Sequence, residues 1–103
     1  KYNYNSEIEF VNSLCTARAF ENNIILIYCN AAGKLDYYKK LKFNLIGRSQ
    51  ITEPFKGVIK RFDHNKEGIF IQEIDTKILK DSDKVYKIRK DFKRRYLKIN
   101  EIR

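Results

Sequence analysis

The stretch Ala17-Arg18-Ala19-Phe20-Glu21-Asn22-Asn23 runs directly into Ile24-Ile25-Leu26-Ile27-Tyr28-Cys29-Asn30-Ala31-Ala32-Gly33. Its first half reads as the end of a helix. Its second half is an unbroken apolar run of strand length, closed by the loop formers Asn30 and Gly33. A strand without polar alternation is usually covered on both faces, so this one is expected at the centre of a sheet. Upstream, Ser6-x-x-Glu9 has the form of a capping box. Ile8, Val11, Leu14, Cys15, Ala17, Ala19 and Phe20 then give a broad apolar face at three- and four-residue spacing. Asn22 and Asn23 supply the stop, because Asn tolerates the left-handed conformation that ends helices. The spacing predicts a helix over Glu7 to Asn22, with Arg18 and Glu21 three apart on one face of it.

Downstream, Ala31 to Leu45 shows no clean period and reads as a long connection. Lys34, Lys39, Lys40 and Lys42 are interleaved there with Tyr37, Tyr38 and Phe43. That mixture suits a nucleic-acid strand, with bases on the rings and phosphates on the ammonium groups, or a solvated loop pinned by its tyrosines. Ile46 to Glu53 alternates as a strand, with Gly47, Ser49 and Ile51 on one face. A glycine inside a strand marks close approach of another backbone or a ligand. Glu53-Pro54-Phe55-Lys56-Gly57 is a hairpin turn. Val58 to Phe62 and Ile69 to Ile74 read as two further strands. Asp75 and Thr76 can cap a second helix, interrupted or restarted near Asp81-Ser82-Asp83. Val85, Ile88, Phe92, Tyr96 and Ile99 then form an apolar stripe opposite Lys87, Lys90, Lys93, Arg94 and Lys98. An amphipathic helix with a basic outer face is expected, its apolar side buried.

A helix ending Ala17-Arg18-Ala19-x-Glu21-Asn22, leading into a strand closed by Asn30-x-x-Gly33, resembles the carbon–nitrogen hydrolase (nitrilase-like) superfamily. Four later pieces follow in that family's order: Gly47-x-Ser49, the Pro54/Gly57 turn, a strand closing on Glu73-Ile74-Asp75, and a helix containing Arg94-Arg95. The family usually sets its turn glycine two residues after the proline; here it comes three after. The resemblance implies a single partial domain over residues 1–103, the C-terminal portion of a nitrilase-like domain. Its fold class would be α/β: part of an α-β-β-α sandwich, with a helix, four strands and a C-terminal helix. It further implies a cysteine-dependent amidase or nitrilase-type hydrolase of non-peptide carbon–nitrogen bonds. The substrate would be a small amide or nitrile, with no metal or organic cofactor and self-association through a helical face. Asn30, Gly33, Gly47 and Ser49 would lie at the rim of the substrate cleft. Arg18 and Glu21 would hold the helix against the sheet, a structural role.

Hydrolysing such a bond with a thiol takes a cysteine nucleophile, a carboxylate base and a cation or amide donors for the oxyanion. The resemblance assigns these to Cys, Glu and Lys upstream of the first helix, so this chain is expected to carry no catalytic residue and to be inactive alone. Cys15 falls on the apolar helix face and Cys29 at a strand end followed by a loop; both read as structural. Ser49 lacks a base, since the single histidine, His64, sits in a polar turn. No His, Cys, Asp or Glu cluster has metal-ligand spacing.

The net charge of +9 is uneven: residues 77–103 hold 11 Lys/Arg against 4 Asp/Glu, while residues 1–76 hold 11 against 9. A small basic α/β nucleic-acid-binding module is the alternative, supported by charge alone and therefore expected to bind at most non-specifically. No apolar run approaches the roughly 20 residues that span a bilayer, so no membrane partner is expected. Two cysteines and the absence of an Asn-x-Ser/Thr acceptor fit the cytoplasm. The start at Lys1 rather than Met suggests a piece of a longer protein.

Overall fold

The computed structural model describes residues 3–37 and 41–102. Helix α1 spans Tyr4–Asn22 and opens one residue after Asn3, whose Oδ1 accepts the Ser6 N–H at 3.0 Å. Asn3 therefore takes the capping role expected of Ser6, and the Ser6/Glu9 box does not form. At the other end Asn23 turns left-handed, φ 49°, and its N–H closes on the Ala19 and Phe20 carbonyls. This is the expected Asn stop.

Five strands follow: β1 Leu26–Tyr28, β2 Ala32–Tyr37, β3 Leu41–Ile46, β4 Gln50–Glu53 and β5 Gly57–Arg61. One antiparallel sheet has the order β1-β4-β5; the other is the β2-β3 hairpin. The apolar run is therefore not the central strand. β1 lies at an edge, with Leu26 and Tyr28 beside α1 and Ile27 turned out, 61% exposed. The central place belongs to the more polar β4, every residue of which is buried. It gains cover from α1 above and a hydrogen-bonded strand on each side.

Three further expectations change. Ala31 to Leu45 is not a connection: Ala32 to Tyr37 pair residue for residue with Ile46 to Leu41. Tyr38, Lys39 and Lys40 lie outside the described residues. The strand expected from Ile46 is broken at Gly47 and Arg48, whose φ angles of 64° and 63° turn the chain from β3 into β4. Residues 69–74 form no strand among the described residues.

Helices α2 (Lys77–Val85) and α3 (Ile88–Ile102) close the chain. Asp75 Oδ1 accepts the Lys77 N–H at 3.0 Å, as a cap. Asp81-Ser82-Asp83 runs through α2 without a break; the elbow falls at Tyr86 and Lys87. The apolar stripe beyond it is not buried: Val85 is 63% and Phe92 69% exposed, and the Tyr96 and Ile99 side chains lie outside the description.

The packed centre is the contact of α1 with β4. Ala19 and Cys15 of α1 and Ile51 of β4 are buried, and the Thr52 hydroxyl donates to the Cys15 carbonyl at 3.1 Å. Gln50, also buried, accepts from Arg61 at 3.2 Å and donates to Asn12 at 2.9 Å, joining β5 to α1. Total exposed surface is 8630 Å². A folded monomer of this mass exposes about 6,100 Å². The chain is a mixed helix-and-sheet structure with one small, well-joined block and much uncovered apolar surface.

Candidate functional site

A cleft of about 370 Å³ opens where β1 ends and the chain passes from β3 to β4, bounded by Asn30, Gly47, Arg48, Ser49, Phe62 and Lys66. Asn30 organises it. Its N–H donates to Ser49 Oγ at 2.9 Å, its Nδ2 to the Gly47 carbonyl at 2.9 Å, and its Oδ1 accepts the Ala31 N–H at 2.9 Å. Gly47 returns the contact, donating its N–H to the Ala31 carbonyl at 3.1 Å. Three residues singled out in the sequence, nearly twenty positions apart, thus share one hydrogen-bonded cluster.

Gly47 cannot be replaced in this arrangement. A Cβ there would stand 2.7 Å from the His64 carbonyl and 2.8 Å from Asn65 Cα, and its φ is positive. The close approach expected of this glycine is present, although at a crossing between strands. Gly33 does not line the cleft; it lies in β2 with φ 93° and donates to the Asn65 carbonyl. The 63–66 turn is thereby held at two points, because His64 also accepts from the Arg48 N–H at 3.3 Å.

The cleft gives Ser49 no base. The Ser49 hydroxyl faces the Asn30 backbone, with its oxygen 3.5 Å from the Asn30 carbonyl. The His64 ring lies against Phe62, centroids 4.8 Å apart, and its Nδ1 accepts the Lys66 N–H. Neither contact supplies Ser49 with a base. Cys15 is buried, and burial pushes its thiol above the ordinary range while the Arg61 charge pulls it partly back. Burial also raises the Tyr28 phenol, with smaller contributions from Cys15 and Glu7. Cys29 is exposed, against the buried structural role expected of it, because it falls just after the last paired residue of β1. Among the described residues no group of three or more His, Cys, Asp or Glu could hold a metal ion. Among them too, no helix is long and apolar enough to cross a membrane.

Arg18 and Glu21 form an ion pair at 2.9 Å with both side chains solvent-facing. Such a pair contributes at most about 0.5 kcal/mol. It joins the two residues to each other; what reaches toward the sheet is the side of Arg18 that borders an apolar groove with Val11, Leu14, Leu26 and Tyr28.

Two features escaped the sequence reading. Arg48 adopts the left-handed conformation beside the cleft without being Gly or Asn, and nothing in its neighbours signals that. Asn23, read only as a helix stop, also ties the C-terminal helices down. Its Nδ2 donates to the Tyr86 carbonyl at 2.7 Å and to Asp83 at 3.3 Å, and its own carbonyl accepts from Arg89 at 2.7 Å. Arg89 and Asp83 pair at 2.9 Å, and the Tyr86 ring meets Phe20 and Phe55 edge-on. Asp83, Tyr86 and Arg89 lie sixty or more positions from Asn23, beyond any local pattern. No protein-family model, curated protein or solved structure matches the chain.

Proposed function

We infer that this chain is the C-terminal part of a carbon–nitrogen hydrolase domain of the nitrilase-like kind, an α-β-β-α sandwich in its complete form. The parent would be an amidase or nitrilase-type enzyme with a cysteine nucleophile, working on a small amide or nitrile, and the chain's share is scaffold and cleft rim. The observation that carries this reading is the Asn30–Gly47–Ser49 cluster. Residues picked out by a family order of motifs meet in space, at a concave site, without catalytic groups of their own. The surface excess of about 2,500 Å² over a compact monomer agrees with a piece whose apolar faces are covered by the rest of a domain. Catalytic Glu, Lys and Cys are then supplied from upstream, and no cofactor is required. Self-association and a cytoplasmic setting belong to the same reading.

The test is ammonia release from a panel of amides and nitriles by the complete reading frame. Turnover should survive Cys15→Ala and Cys29→Ala and vanish when an upstream cysteine is replaced. Loss of turnover on Cys29→Ala in a folded protein would place the nucleophile in this chain and overturn the assignment. A second reading has one specific observation behind it: Lys84, Lys87, Arg89, Lys90 and Lys93 line a single groove at the α2–α3 elbow. Nucleic acid held there by counterion release alone would dissociate as salt rises. Tight, sequence-selective binding at physiological salt would favour that module over the hydrolase.

A further inference from the structure

Residues 69–74 have the sequence of a strand and none of its partners. Ile69 and Ile71, two apart and so on one side of an extended chain, are 92% and 95% exposed. Among the described residues no backbone-to-backbone hydrogen bond reaches residues 66–74. Phe70 lies edge-on to Phe62 with centroids 4.9 Å apart, and Phe70, Gln72 and Ile74 are half-buried on the side opposite Ile69 and Ile71. Unpaired strand backbone with exposed alternating apolar side chains is a template for another strand.

The chain's own β5 is not that strand. The turn leaving β5 is fixed elsewhere, its His64 and Asn65 carbonyls accepting from Arg48 and Gly33. Residues 69–74 accordingly do not fold back along β5. Yet β5 has an open side, because β4 is its only neighbour among the described residues. Charge distinguishes the edges available. Residues 67–75 contain Glu67, Glu73 and Asp75 and no Lys or Arg, in a chain of net charge +9. Of the other open edges among the described residues, β1 carries no charge, β2 carries Lys34 with Asp36 and β3 carries Lys42 alone, whereas β5 carries the adjacent pair Lys60 and Arg61, with Lys60 exposed. A lysine on an edge strand repels a second copy of that same edge and admits an acidic strand.

We propose that residues 69–74 add, antiparallel, to the open β5 edge of a second copy of this chain, with Glu73 opposite Lys60. That register also sets Ile74 opposite Ile59, so an opposite-charge pair lies on one face and an apolar pair on the other. Each copy carries one acidic strand and one basic edge. A reciprocal exchange about a two-fold axis satisfies both and closes the assembly as a dimer.

The experiment is sedimentation of the 103-residue chain from micromolar to submillimolar concentration, alongside Lys60→Glu, Glu73→Lys and the double substitution. Both side chains are exposed, so far-UV dichroism should stay unchanged. The parent chain should dimerise. Each single substitution, which creates like charges at two symmetric positions, should weaken dimerisation about tenfold, and the double should restore it. Ile74→Pro, which deletes the strand N–H facing Ile59 without touching charge, should remove the dimer. A monomer at every concentration overturns the proposal. So does a dimer indifferent to the single substitutions, or one the double fails to rescue, since association would then run through another face such as α1.

Discussion

The α1–β4 block and the segment from residue 67 onward are built on opposite terms. In the block, buried polar side chains are held by bonds between elements: Thr52 to the Cys15 carbonyl, Gln50 to Asn12 and Arg61. Two of these bonds reach from β4 back to α1, 37 and 38 positions away, so the block is defined by tertiary contact. Beyond residue 67 the elements have regular sequence patterns but little to pack against. Ile69, Ile71, Val85 and Phe92 are largely exposed, and the attachment to the block runs through the knot around Asn23. Regular patterning forms elements; it does not by itself place them. The candidate cleft belongs to the first region, which is why its residues meet.

Gly47→Ala should have the largest effect. A positive φ for alanine and a carbonyl 2.7 Å from the new Cβ act together at the cleft, and about 2–4 kcal/mol of stability should be lost. Gly33→Ala is the control, because nothing lies within 4 Å of its Cβ position. It should cost only the backbone term of about 1 kcal/mol. Urea midpoints of the two variants separate close packing from backbone conformation. Equal losses would mean that the approach of the 63–66 turn to Gly47 carries no energy.

Asn23→Ala comes next, and it strikes the join between the two regions. It removes the side-chain bonds to Tyr86 and Asp83 and puts alanine in the left-handed conformation. Loosening of about 2 kcal/mol is expected, partly offset because the buried Asn23 Oδ1 has no partner to lose. Trypsin should then cut the lysine-rich helices about thirtyfold faster under native conditions, as opening becomes that much more frequent. Unchanged cleavage would mean that the helices are held by contacts other than this knot.

How much of this was legible beforehand follows the same division. Helix α1, the Asn23 stop and the tightness at Gly47 were readable because each depends on local chemistry; Asn30, Gly33, Gly47 and Ser49 were grouped by resemblance alone, and Gly33 lies apart from the cleft in β2. The centre of the sheet was misread because burial of β4 comes from α1 above and strands on both sides, which its Gln50-Ile51-Thr52-Glu53 composition does not announce. The β2-β3 hairpin was missed although Leu41, Phe43 and Leu45 alternate with Lys42 and Asn44. Its pattern in β2 is diluted by Gly33 and Asp36, and Leu35 and Phe43 remain largely exposed in the folded chain. Residues 69–74 show the reverse error, a strong strand pattern without a strand to pair with.

A smaller effect is expected at alkaline pH, and only from the block. Burial holds the folded Cys15 and Tyr28 groups above their ordinary values. The unfolded chain therefore loses these protons first, beginning near the free thiol pKa of about 8.5. Their contribution to stability is complete below that pH and is lost as pH rises toward the folded values. Urea midpoints should decline above that pH, and Cys15→Ala should flatten the early part of the decline. A decline of the same shape in Cys15→Ala would exclude the thiol as its source.

Amide hydrogen exchange, at a dilution where the chain sediments as a monomer, tests the contrast itself most directly. The amides of β4 and of α1 around Cys15 and Ala19 should exchange slowest, limited by opening of the whole block. Those of residues 69–74 should exchange at nearly the rate of free peptide, with α3 in between. Protection of residues 69–74 equal to that of β4 in the monomer would contradict the division of the molecule into a joined block and an unpartnered segment.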